Sequence, residues 1–96
     1  MNSVRIAGIN YDIQICEPSQ MQDGGRLGEA DFNKQIIRIN NTASDQTKQI
    51  ATIHEVLHMI DHAYGTNLTE QQIVIFTHGL VQFMKDNQTF FNNVLG

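Results

Sequence analysis

Residues 50–65, IATIHEVLHMIDHAYG, decide the reading of this chain. Ile50, Ile53, Leu57, Ile60 and Tyr64 recur at helical spacing, and Val56 and Met59 add a second apolar edge. That pattern predicts a helix covered on more than one side. Gly65 ends it, and Asn41 or Thr42 is placed to cap its start. After Thr66-Asn67-Leu68, Thr69 caps a second helix, with Gln72 three residues on completing a capping box. Ile73, Phe76, Leu80 and Phe83 form the stripe of that helix. Asn87 to Gly96 reads as a short third helix or a frayed tail.

Upstream the period changes from helix to strand. Ser3 to Ala7 alternates, Gly8 offers a turn, and Tyr11, Ile13 and Ile15 share a face of the next strand. Glu17 to Gly28, EPSQMQDGGRLG, holds the only Pro and three of the seven Gly, and reads as a long loop of the kind that borders sites. Leu27 to Phe32 and Gln35 to Ile39 then read as two strands joined at Asn33-Lys34. The expected fold is α+β in one domain spanning 1–96. A small antiparallel sheet, mostly within residues 3–40, packs on the His54 helix and on a second helix antiparallel to it.

Composition narrows the function classes. The chain has 96 residues, 41% of them hydrophobic, which suits a globular domain with a thin core. A net charge of -4, with six scattered basic residues, argues against a nucleic-acid surface. No apolar run approaches the ~20 residues of a membrane span, and the first residues lack a secretory apolar region. The single cysteine, Cys16, forms no internal disulfide, so the expected setting is a reducing cytoplasm. A domain this small that needs a staple has a metal as its remaining candidate.

The chemistry is concentrated in His54-Glu55-Val56-Leu57-His58. Residues four apart lie on one helical face, so His54 and His58 can offer imidazole nitrogens to one ion. Glu55 sits beside that face, within reach of a water on the ion without being a ligand. This H-E-x-x-H pattern is the one in which zinc acidifies water and the Glu takes its proton. A chance match in so short a chain is expected on the order of a few times per thousand. Imidazoles on a strongly apolar helix also need a partner.

A third ligand must come from elsewhere, because a catalytic zinc usually takes three protein ligands plus water. The extended pattern with a third His fails, since Asp61 and Tyr64 stand at its Gly and His positions. His62, a further turn along and about 6 Å beyond His58, overshoots the ion. Asp61 is better placed to orient His58 than to bind metal. Glu70, in the first turn of the next helix, is the better candidate, because a short connection folds that helix back antiparallel.

His54-Glu55-x-x-His58, followed by Glu70-x-x-Ile73-Val74, resembles a reduced version of the gluzincin metallopeptidase plan. The preceding strands resemble the small ImmA/IrrE-type and related phage-encoded metallopeptidases. The likeness covers roughly residues 27 to 84, and its specific part is the five-residue motif. Two features depart from the family pattern: the gap from His58 to Glu70 is short, and Val74 replaces the usual Asn or Asp. The resemblance implies Zn2+ held by His54, His58 and Glu70, with Glu55 as general base in peptide-bond hydrolysis. It also implies a peptide or protein substrate lying extended along an edge strand, here Gln35 to Asn40. A second donor for the developing oxyanion is expected among Tyr64, His62 and His78, which the sequence does not rank. Tyr64 also fits a core position at the end of its helix.

Three classes therefore compete: a zinc peptidase, a metal-stabilised binding or regulatory domain without turnover, and an accidental motif. A structural metal predicts a fourth protein ligand, with His62 or Asp61 available. Gly24-Gly25 and Gly28 make no phosphate loop, since no Lys-Ser/Thr follows. Cys16 reads as a small apolar residue at a strand end. Met21 fits loop packing better than a substrate groove, and Phe90-Phe91 fits satellite core unless it is exposed for association.

Overall fold

The computed structural model describes residues 3–96 and shows an α+β fold: a four-stranded sheet and three α-helices. Strand β1 (Ser3–Ile6) turns through Ala7 and Gly8 into β2 (Ile9–Cys16). Both turn residues have positive φ, 50° and 80°, as a two-residue type I′ hairpin demands. The loop that follows contains a 3-10 turn, Pro18–Gln20, and leads to β3 (Gly28–Asp31) and β4 (Ile36–Asn40).

The sheet order is β1-β2-β4-β3. Its two hairpins are antiparallel, as the sequence predicts, but they join through a parallel pairing of β2 with β4. The expected edge strand, Gln35 to Asn40, is therefore an inner strand, and the free edges belong to β1 and β3. Ile37 and Ile39 are 0% exposed on the core side, while Arg38 and Asn40 are buried on the other. Burial on both faces fits a central strand, and the two edges of β4 are taken by β2 and by β3.

Helix α1 (Asp45–Tyr64) starts at Ser44, whose hydroxyl accepts the Thr47 N–H, rather than at Asn41 or Thr42. Those two residues belong to a turn in which the Asn40 side-chain oxygen accepts both the N–H and the hydroxyl of Thr42. Gly65 closes the helix in the left-handed conformation, with φ 65°. Helix α2 (Glu70–Asp86) has the predicted Thr69–Gln72 capping box, and α3 (Phe90–Leu95) follows as a short helix.

The core joins Ile6, Tyr11, Ile37 and Ile39 of the sheet to Ala51 and Met59 of α1. Each fully buried Ile or Met contributes about 1.5–3 kcal/mol of burial free energy. The helical stripes differ from those read off hydrophobicity. On α1 the buried positions are Ala51, Glu55 and Met59; on α2 they are Ile73, Thr77 and Val81. Thr77 serves as an apolar residue because its hydroxyl is satisfied locally by the Ile73 carbonyl at 2.7 Å. Phe76, Phe83, Ile15 and Tyr64 are exposed instead, so Tyr64 is not core. Cys16 is buried at the end of β2, and Met21 is buried in the loop. No described helix is long and apolar enough to cross a membrane.

Candidate metal centre

Two helix termini and one edge strand build the site. Ser44 and Gly65 fix α1, so His54 and His58 leave the same face one turn apart. The connection to α2 is fastened by Asp61. Its carboxylate accepts the Leu68 N–H at 2.9 Å and the Thr66 hydroxyl. These bonds hold the Asp61 carboxyl below its ordinary pKa, the Thr66 contact first. Asp61 thus secures the turn that delivers Glu70, instead of contacting His58 as the sequence reading expected.

Glu70 arrives between the two imidazoles. Its carboxylate oxygens lie 2.8 Å from His54 Nε2 and 2.9 Å from His58 Nε2. The two ring nitrogens are themselves 3.1 Å apart. With Glu70 ionised, two imidazole hydrogens cannot fill three such contacts, whereas one shared cation satisfies all three donors. The donor set fits a metal on spacing too. Donors about 2.0–2.2 Å from a tetrahedral zinc lie roughly 3.3 Å from one another. Moving outward by a few tenths of an ångström brings these donors to that spacing. Burial holds the His54 pKa below its ordinary value, which keeps the ring neutral as ligation requires.

Glu55 lies beside the donors and beneath β3. It is 8% exposed, and burial followed by the charge of Glu70 raises its carboxyl pKa to about 7. The close approach depends on Gly28: a Cβ there would stand 3.3 Å from Glu55 Cγ and Oε2 and from Ile39 Cδ1. Glu55, the two histidines and Glu70 open into a cleft of about 530 Å³. Its other walls are Arg26, Leu27 and Gly28 on the strand side and Thr47, Ile50 and Ala51 along α1.

The remaining sequence candidates stand outside this cleft. His62 stacks on Phe32, with ring centroids 4.3 Å apart, at the far end of β3. Tyr64 is 67% exposed at the helix end. The charge of His78 reaches His54 from two turns beyond Glu70, but its side chain neither joins the donor cluster nor lines the cleft. Among the described residues, His54, His58 and Glu70 form the one group of three or more His, Cys, Asp or Glu able to share an ion. Sequence reasoning missed Gly28 and Arg26. The signal for Gly28 was its place at the start of a strand feeding the site; Arg26 carried none beyond being a cation in the bordering loop. In comparisons with known proteins, the chain matches no family model, no curated protein and no solved structure.

Proposed function

We propose that the protein is a zinc-dependent peptide hydrolase acting at the His54–His58–Glu70 cluster. The observation that carries this reading is the convergence of three neutral or anionic donors on one point with a buried fourth group, Glu55, beside them. Zinc held by these residues would polarise the scissile carbonyl and acidify a water. Glu55 takes a proton from the attacking water on its carboxylate and returns it to the leaving nitrogen. Without metal, burial holds this carboxyl near 7, and a divalent ion beside it would favour the carboxylate form that accepts the proton. The low exposure of Glu55 keeps bulk water from competing.

The substrate reading moves with the strand order. Because β4 is internal, the strand able to accept an extended peptide beside the cleft is β3, with Gly28 lining the cleft. The alternative of a closed structural metal needs a fourth protein ligand. Its two candidates are occupied elsewhere, Asp61 by the α1–α2 connection and His62 by Phe32. Three protein donors favour a site that keeps a position open for water or substrate.

The test is peptide-library hydrolysis by zinc-loaded protein beside Glu55→Gln. The expected result is turnover that falls about 10²–10⁴-fold in the variant while zinc stays bound. Equal turnover by both proteins would remove Glu55 from the mechanism.

A further inference from the structure

Arg26 is the lone arginine or lysine lining the cleft, and the loop that carries it is fixed at that point. Asn40, 4% exposed, donates from Nδ2 to the Arg26 carbonyl at 3.0 Å and the Gly24 carbonyl at 3.2 Å. The Asn40 backbone N–H bonds the Leu27 carbonyl at 2.9 Å. Glu29, 4% exposed, accepts the N–H groups of Gln22 and Asp23 from the same loop at 2.8 and 3.2 Å. The loop is therefore a braced wall, and Arg26 stands on its rim.

The side chain itself is free to take a ligand. Its one ion-pair contact is Nε to Asp23 at 3.6 Å, and it is 67% exposed. The two terminal nitrogens, the pair that grips a carboxylate in fork geometry, are outside that contact. Arg26 lines the same cleft as Glu55 and the three donors, so its charge stands at the reacting end. With a divalent ion on the donors, the two cleft carboxylates would balance it, and Arg26, with Asp23 beside its Nε, is the cation that lines the opposite wall.

We propose that Arg26 binds a carboxylate of the substrate beside the bond to be cut, so that the site selects peptides with an acidic side chain or a C-terminal carboxylate there. The proposal rests on the hydrolase reading above and adds its substrate class. Arg26 sets specificity and takes no part in the chemistry.

The experiment is calorimetric titration of zinc-loaded protein with peptide hydroxamates built on one scaffold. One matched pair carries a free C-terminal carboxylate or its amide, and the other carries Glu or Gln at one side-chain position. One carboxylate probe is expected to bind about ten-fold more tightly than its neutral partner, and the favoured pair identifies the source of the carboxylate. The advantage should vanish in Arg26→Gln, persist in part in Arg26→Lys and shrink at high salt, with zinc affinity unchanged in both variants. On a zinc-loaded protein, matched pairs that bind equally or not at all overturn the carboxylate proposal alone. So does an advantage that survives in Arg26→Gln. Failure to take up zinc overturns the hydrolase reading, and this proposal with it.

Discussion

The two faces of the sheet each carry a cluster of ionisable side chains, and they are organised in opposite ways. On the face away from α1, Arg38 is gripped by Glu29 at 3.1 Å and Asp31 at 3.0 Å, all three nearly buried. The carboxylates also hold backbone, Glu29 taking two loop N–H groups and Asp31 the Lys34 N–H, and no buried side-chain nitrogen or oxygen among the described residues lacks a partner. On the α1 side, His54, His58 and Glu70 crowd one point with fewer hydrogens than contacts, and Glu55 faces the cleft. A saturated polar cluster is a fastening, whereas an unsaturated one at a cleft awaits a ligand. Glutamates serve in both, so a carboxylate's partners, not its presence, separate the two clusters.

The contrast can be broken most severely at Arg38. Arg38→Ala strands two buried carboxylates and is expected to destabilise the fold by about 3–5 kcal/mol, read by urea denaturation. A loss under 1 kcal/mol would mean that the network is not a fastening.

The pH responses of the two faces have opposite signs. The Asp31 carboxyl is held below its ordinary pKa, by the Lys34 N–H first and then by Arg38. Its contribution is present above the unfolded pKa and is lost as acid protonates it. Glu55 is raised from 4.5 to about 7, so the metal-free native state holds its proton longer than the unfolded chain. The Glu55 contribution therefore falls as pH rises from about 4.5 to about 7, by roughly 3 kcal/mol at most. The difference between wild-type and Glu55→Gln stability curves isolates it. A difference that does not change with pH would contradict the buried setting of Glu55.

Smaller effects sharpen the same distinction. Asp61→Ala loosens the connection before Glu70, and zinc affinity is expected to fall several-fold in a competition titration while the sheet is unaffected. Gly28→Ala presses a methyl group against Glu55, where neighbours must give by a few tenths of an ångström. Turnover is expected to drop a few-fold at unchanged zinc affinity, and unchanged turnover would show that Glu55 has room to spare.

What the sequence made legible follows from range. The two long helices were readable because their signals are local: Gly65 at one end, the Thr69–Gln72 box at the next start, and His54 and His58 one turn apart. Glu70 followed from the shortness of the connection. The inner position of β4 was not legible, because it depends on a parallel pairing with β2, a strand separated from it in sequence by the long loop and by β3. The helical stripes misled for a related reason. Glu55 and Thr77 fill buried positions that hydrophobicity assigns elsewhere, one facing the cleft and one closed on its own helix. Asp61 was placed near the right residues, yet its partners lie in the turn that follows it.

The central claim is that the unsaturated cluster is a metal site, and zinc titration of metal-free protein tests it most directly. One zinc per chain is predicted for the wild type and for Glu55→Gln, with specific binding lost in His58→Ala and in Glu70→Ala. No zinc bound by the wild type, or undiminished binding in Glu70→Ala, would contradict it.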